Sequence, residues 1–435
     1  MHHIKKGLVF ATASLAAVTL AGCAGGGTAA PEETAGGDGE PITLTVSGWS
    51  LETTPEFQTI ADGFHEKHPD VTVELKEYDP AEYNTLVTTD LAAGAGPDII
   101  TQKEVKFVST FQEGGQLMDV SDVELPDGIG GVDSYKIDDV AYATPYRQDS
   151  WVLYYNKDLF AQAGVEEPDG SWTWDDFYAA AAELKGKIGE ALPIYNHGWQ
   201  SVVQGFANNQ DTGDGILSGD YGYFAPYYED VLSAEADGLK VPYNTVTANK
   251  LTYQGEFGKQ HAAMMPMGTW FVATLIAQQA SGEADDFEWG IAPAPQADDS
   301  TAGMDNTPLT FGDPTGFGIN ANIDPAKVDA AKDFLAYAAS EDAAQLLAGI
   351  GITPALQSDA VTETYFAAEG APTDELSKFA WATHETGPEN PTSSKTAAIQ
   401  TALNDMHTAI LSGSQGVDDA IAAAEERVKS EGLVD

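Results

Sequence analysis

Strand-like and helix-like patterns alternate at short intervals between Ile42 and Ile100, and no other feature constrains the fold as much. Ile42 to Val46 alternates apolar residues with Thr and breaks at Gly48, as a half-buried strand does. Thr54-Pro55 is suited to cap and open a helix whose inner face carries Phe57, Ile60, Ala61 and Phe64, and Pro69 stops it. Val71 to Leu75 alternates again. Pro80 starts a second helix bearing Tyr83, Leu86, Val87 and Leu91, closed by Gly94, and Pro97-Asp98-Ile99-Ile100 begins a third strand. Strands joined through helices rather than hairpins run parallel, so the predicted fold class is α/β.

The same plan continues. Trp151 to Tyr155 is an unbroken apolar and aromatic run, the signature of a strand buried on both faces. Asn156 caps the helix after it and Gly164 ends that helix. Thr173, with Asp176 at the third position, caps another whose stripe is Phe177, Ala180, Ala181 and Leu184. Strands are expected at Trp289–Ala292 and Phe317–Ile319. Asp324-Pro325 opens a helix with Val328, Ala331, Phe334, Leu335 and Ala338 inward, and Ser340 caps its successor. Amphipathic helices near Thr396–Leu411 and Val417–Ser430 close the chain. With 435 residues, 43% of them hydrophobic, there is material for two domains with a core each.

Residues 1–22 read as an address. Lys5 and Lys6 precede an uncharged apolar run from Leu8 to Leu20, too short to span a bilayer as a helix, and Leu20-Ala21-Gly22-Cys23 follows. That tetrapeptide resembles the lipobox of bacterial lipoproteins, in which Cys23 becomes the lipidated N-terminus. Residues 23–41, rich in Gly, Ala, Glu, Thr and Pro, are expected to form a flexible tether. The protein is therefore expected on the extracellular face of the cytoplasmic membrane. Cys23 is the only cysteine, which excludes a disulfide scaffold, an iron–sulfur cluster and a cysteine zinc site. With 20 Lys+Arg against 68 Asp+Glu, the net charge of −48 disfavours nucleic acid and anionic headgroups and favours a neutral or cationic ligand.

Catalytic signatures are missing: there is no HExxH, P-loop or GxSxG, and Gly213-Asp214-Gly215 lacks the dinucleotide spacing. His65 and His68 lie at a metal-compatible spacing on a helix end, where solvated histidines are the simpler reading. Asp211, Asp214 and Asp220 occupy a Gly-rich loop that could hold calcium, yet miss the EF-hand pattern and read better as a polar turn. No cofactor is expected.

Ligands of open α/β sheets sit beyond the carboxyl ends of strands. Trp49 follows the first strand within Gly48-Trp49-Ser50-Leu51-Glu52. Gln102 and Lys103 follow the third, and Tyr146-Arg147-Gln148-Asp149 precedes the aromatic strand at Trp151. Gly268-Thr269-Trp270 follows Met264-Met265-Pro266-Met267. A sugar presents apolar C–H faces ringed by hydroxyls, and Trp beside Asp, Glu, Gln and Arg matches both. Each residue has a structural alternative. A Trp after a strand is as often packing as platform, and Arg147 beside Asp149 can be a plain ion pair. Trp151 and Tyr154 read as core, and Trp172 and Trp174 as a staple at a helix start. Trp49, Asp149 and Trp270 at separate turns are together better explained by a site.

The order of these segments resembles the extracellular solute-binding proteins of ABC importers, in the carbohydrate-binding group that includes maltose-binding protein. The segments carrying it run from Phe64–Val71 and Ala92–Ile99 through Leu153–Phe160 and Trp172–Phe177 to Ala263–Trp270 and Gly316–Asn320. The resemblance implies a two-lobed clamp, each lobe a mainly parallel sheet flanked by helices, with lobe one at 42–149 and 318–360 and lobe two at 150–317 and 361–435. It implies crossings near Gln148–Ser150, Pro314–Phe317 and Ile352–Asp359. It places cleft positions at Trp49, Glu52, Gln102, Lys103, Asp149 and Trp270; Arg147, Gln148 and Gly316 join them as ligand-binding candidates. Arg147 and Gln148 depart from the family pattern, and Gly387-Pro388-Glu389-Asn390-Pro391, near a cleft-facing stretch, lacks an aromatic residue. The implied function is a monomeric, non-catalytic lipoprotein that captures a neutral carbohydrate and delivers it to a membrane permease. Two other readings remain: a receptor for a compatible solute such as a betaine, and a secreted glycoside hydrolase using Glu52 and Asp149.

Overall fold

The computed structural model describes residues 41–52, 55–210 and 215–434. The signal sequence, Cys23, the tether up to residue 40, Thr54, Asp211 and Asp214 lie outside the described residues.

Local signals translate directly into elements. The helix Glu56–Lys67 buries Phe57, Ile60, Ala61 and Phe64 against the first sheet. Asn156 Oδ1 accepts the Leu159 N–H at 2.9 Å and Gly164 ends that helix in the left-handed region, as predicted. Thr173 and Asp176 form a reciprocal capping box at the start of the helix Trp174–Leu184. Asp324 caps the turn that leads into the helix Val328–Ala338, which buries Ala331, Phe334, Leu335 and Ala338. His65 and His68 serve structure: His65 Nδ1 lies 2.7 Å from the Val71 carbonyl oxygen, and the His68 ring stacks on Phe64.

Among the described residues the strands are β1 (Ile42–Trp49), β2 (Val71–Tyr78), β3 (Ile99–Gln102), β4 (Lys136–Ile137), β5 (Val140–Ala141), β6 (Thr144–Gln148) and β7 (Trp151–Asn156). They continue with β8 (Leu192–Ile194), β9 (Ala262–Gly268), β10 (Trp289–Pro293), β11 (Leu309–Phe311), β12 (Pro314–Ile319) and β13 (Glu385–Gly387). One sheet has the order β2-β1-β3-β12-β6 and belongs to the first lobe; the second has the order β10-β7-β9-β8.

Each sheet contains one strand that runs against the others. In the first, β1 pairs parallel with β2 and β3, whereas β12 is antiparallel to both β3 and β6. In the second, β9 is parallel to β8, whereas β7 is antiparallel to both β9 and β10. The odd strand is in each case the one that arrives from the other lobe. It starts where its neighbours end, as the pairs Gly316↔Gln102 and Trp151↔Gly268 show. The sheets are thus mainly parallel in strand direction, but the pairings around each incoming strand are antiparallel, which the short-range sequence pattern does not reveal.

The chain crosses between lobes at Asp149–Ser150, between β6 and β7. It crosses again at Gly312–Asp313, between β11, which pairs with β13, and β12, which is already bonded to β6 at Pro314↔Gln148. The second crossing therefore lies ahead of the expected Pro314–Phe317, and Pro314–Phe317 belongs to the first sheet. A third passage runs beside β6: Gln148 N–H donates to Thr353 O at 3.1 Å and Ala355 N–H to Tyr146 O at 3.0 Å. Next, the helix Asp359–Phe366 buries Val361, Tyr365 and Phe366 in the second lobe's core. Gly312 is where two crossings touch, since a Cβ there would stand 2.1 Å from the Asp149 carbonyl oxygen.

Candidate functional site

The strand ends of the two sheets face one another across a cleft of about 1700 Å3. Trp49, Lys103, Arg147 and Asp149 border it from the first lobe and the crossing, Trp199, Tyr253 and Trp270 from the second. That volume exceeds the roughly 300–1,000 Å3 of ordinary small-molecule sites, and like them the cleft combines apolar walls with a few oriented polar groups.

At the hinge end a charge relay links the lobes. Glu56 is fully buried; it accepts from Tyr146 Oη at 2.9 Å and pairs with Arg147 Nη1. Arg147 Nε donates to Asp149 Oδ2 at 2.6 Å, and Asp149 Oδ1 accepts from Thr269 Oγ1 at 2.9 Å. Thr269 also takes up the chain after the crossing, its N–H donating to Ser150 O at 2.9 Å. Burial by itself would lower the Arg147 guanidinium, but the Asp149 and Glu56 carboxylates outweigh it and hold it above its ordinary value. Arg147 and Asp149 are therefore a structural ion pair that also borders the cleft.

The second lobe supplies an aromatic wall. Trp270 opens the helix Trp270–Ser281 just after β9, and its ring meets Trp151 edge-on at 5.5 Å and Trp199 at 6.4 Å. Tyr253 lies 5.7 Å from Trp199, which keeps 41% of its surface exposed. Behind them His197 packs edge-on to Trp199 at 4.3 Å, and burial pushes its imidazole down to about 4, so it is neutral at pH 7. On the first lobe Trp49 packs edge-on against Phe57 and Tyr83, with Lys103 Nζ 5.6 Å from its ring centroid. Lys103 Nζ also donates to Pro80 O at 2.6 Å, and burial lowers its pKa.

Beside the second crossing the wall is polar. The parallel register Phe311↔Gly387, continued by Gly312 N–H donating to Gly387 O at 3.1 Å, delivers Asp313 and Glu389 side by side. The Asp313 carboxylate accepts the N–H groups of Glu389 and Asn390, each at 3.1 Å, and Glu389 accepts from Ser201 Oγ. Burial raises both carboxyl pKa values, and the Asp313 charge raises Glu389 further.

The cleft brings together Trp49, Lys103, Arg147, Asp149 and Trp270 from the sequence-derived candidates. Gln102 is buried behind it, its Nε2 donating to Ile100 O at 3.3 Å. Gln148 Nε2 donates to Asp149 O at 3.3 Å, and Gly316 packs in the first sheet where a Cβ would meet the Thr144 carbonyl oxygen at 2.6 Å. Neither belongs to the cleft lining. Glu52 is exposed and outside that lining, so the structure does not assemble the Glu52–Asp149 acid pair within it. Sequence reasoning missed Trp199, Tyr253, Asp313 and Glu389. The Trp of His197-Gly198-Trp199-Gln200, ahead of the helix Ser201–Gln210, was a readable signal of the kind that had pointed to Trp270. Among the described residues no group of three or more His, Cys, Asp or Glu could hold a metal ion.

Two α/β lobes, three passages between them and a lined cleft define a clamp-type binding protein. The pattern that describes the bacterial extracellular solute-binding proteins matches residues 48–345, and the chain belongs to that family. A binding protein of Brucella abortus is 24% identical over 281 residues, 59% of this chain and 64% of that protein, so the match spans just under two thirds of that relative. The maltodextrin-binding protein of Bacillus subtilis is 28% identical over 222 residues, covering 50% of this chain and 51% of its own. Among solved structures, a sugar transporter of Rhizobium etli in an open conformation is 31% identical. It covers 89% of this chain and 99% of its own, with a TM-score of 0.78.

Proposed function

We propose that the protein captures a neutral carbohydrate in the interlobe cleft and hands it, chemically unchanged, to the membrane subunits of an ABC importer. The observation that carries this reading is the aromatic wall of Trp199, Tyr253 and Trp270 facing a first lobe that carries Trp49, Lys103 and the Arg147–Asp149 pair. Flat aromatic faces suit the C–H surface of a sugar ring, and fixed planar polar groups suit its hydroxyls. The names of the Rhizobium and Bacillus relatives point the same way. Trp49, Lys103, Arg147, Asp149 and Trp270 act as contacts in this reading, with Gln102, Gln148 and Gly316 supporting the surface from behind. The net charge of −48 turns away phosphorylated and acidic sugars. The receptor works as a monomer, exported through residues 1–22 and anchored by lipid on Cys23.

The test is tryptophan fluorescence of the protein titrated with maltose, maltotriose, lactose, D-mannitol and D-glucose, with glycine betaine alongside. Saturable change with a saccharide supports the reading. A response to betaine alone would replace carbohydrate by a cationic solute held in the aromatic wall. Membrane fractionation of cells carrying Cys23→Ser tests the anchor: the protein should move to the soluble fraction.

A further inference from the structure

Beside Glu389 the cleft has an annex. A cavity of about 10 Å3 is bordered by Gln200, Ser201, Glu389 and Gln400, all four of which also line the cleft. Gln204, Gly205, Asn208 and Ile216 close its far side. It is the size of one water oxygen, and therefore of one hydroxyl group.

The hydrogen-bond polarity around it is fixed by two backbone carbonyls. Gln204 Nε2 donates to Leu403 O at 2.9 Å and to Tyr228 Oη at 2.7 Å, so its Oε1 cannot be exchanged with the nitrogen. Gln400 Nε2 donates to Glu389 O at 3.1 Å, its Oε1 accepts from Gln200 Nε2, and Gln200 Oε1 is left over by the same logic. Gln204 is 5% exposed, and both Gln204 Oε1 and Gln200 Oε1 are buried without a hydrogen-bond partner. Two buried acceptors that lack donors beside a hydroxyl-sized space are costly unless something donates to them.

We propose that this annex is a specificity pocket that receives one protruding hydroxyl of the bound carbohydrate, which donates to Gln200 Oε1, the orphaned acceptor of a residue that lines both cleft and annex. The inference rests on the carbohydrate reading above and adds which part of the ligand is read, and where. A saccharide with a hydroxyl at the right position fills the space and satisfies an orphaned oxygen. One lacking it leaves both oxygens buried and bare.

The experiment takes the panel saccharide with the lowest Kd and its set of monodeoxy analogues, titrated into wild type and into Gln200→Met, which at similar size removes the free acceptor together with the Gln200 Nε2 donation to Gln400 Oε1. In wild type one analogue should bind about tenfold or more weakly, the others far less so. Gln200→Met should weaken the parent saccharide and shrink the penalty at that one position to about twofold, because the two changes remove the same contact. Glu389→Gln serves as the second variant if Gln200→Met melts early; its amide can donate into the annex, so the parent saccharide should again bind more weakly. Monodeoxy analogues that all bind within about twofold of the parent, or a parent affinity unmoved by either variant, would overturn the pocket and leave the carbohydrate reading intact. Wild type that binds no saccharide would overturn the carbohydrate reading itself, and this pocket with it.

Discussion

At the residue scale the clearest statement concerns buried charge. Glu56, with no exposed surface, is tied to Arg147, which also holds Asp149. Removing the cation leaves the Glu56 and Asp149 carboxylates buried without their partner, so Arg147→Met should lose about 3 kcal/mol in urea denaturation. A second prediction concerns acid. Burial pushes His407 down to about 3 and His197 to about 4, from an ordinary 6.5. The unfolded chain therefore takes up these protons first. The stability the histidines contribute is complete above pH 6.5 and drains away as pH falls toward about 4 for His197 and about 3 for His407, and His407→Gln should flatten that slope. Glu389 has the opposite sign. Its raised carboxyl favours the folded state at low pH, and that contribution is lost as pH rises from its ordinary 4.5 through its raised value. Denaturation midpoints measured across the pH range for Glu389→Gln against wild type isolate it. Trp49, Lys103 and Asp149 stood out because each follows or precedes a readable strand, and Trp270 because it follows the Met264–Met267 run. Glu389 was not, since one acid among 68 gains meaning only from the neighbour the fold gives it.

Among the elements, the junction of β9 with the helix Trp270–Ser281 decides how the aromatic wall stands. A Cβ on Gly268 would come within 1.9 Å of the Trp270 ring, so the indole lies flat over the glycine. Gly268→Ala should tip that ring out of place and weaken saccharide binding about as much as Trp270→Ala does. It should leave the Tm closer to wild type than Trp151→Ala, which cuts into the core. Fluorescence titration together with thermal melts checks both halves. The helix Lys157–Ala163, opened by Asn156 and ended by Gly164, was readable end to end, and the apolar stripes of Glu56–Lys67 and Trp174–Leu184 were readable along their length. The ribbon of β11 and β13 was not. Three residues each are too few to show a period, and 73 residues, 312–384, lie between the two strands. Asp313 and Glu389 follow the two ends of that ribbon; the resemblance had put Gly387–Pro391 near the cleft, but without the ribbon nothing set Asp313 beside it.

For the whole molecule, the sequence supplied two lobes through a resemblance, whereas the reasons for two lobes lie in the topology. The incoming strands β7 and β12 each insert between strands of a sheet built from other parts of the chain, so neither sheet is complete without a crossing. The crossings meet at Gly312 and Asp149, where only glycine allows the approach. Relative motion of the lobes then concentrates in few residues, and a ligand that touches both lobes shifts the population toward closure. Small-angle scattering with saturating saccharide should show a smaller radius of gyration than without it, and Gly312→Val should abolish or reduce that change.

The most direct test of the central claim is isothermal titration calorimetry with the same saccharides, followed by chromatography of the recovered sugar. The account predicts saturable binding of one saccharide per protein and recovery of that saccharide intact. Heat with none of them, or recovery of cleaved sugar, would contradict it.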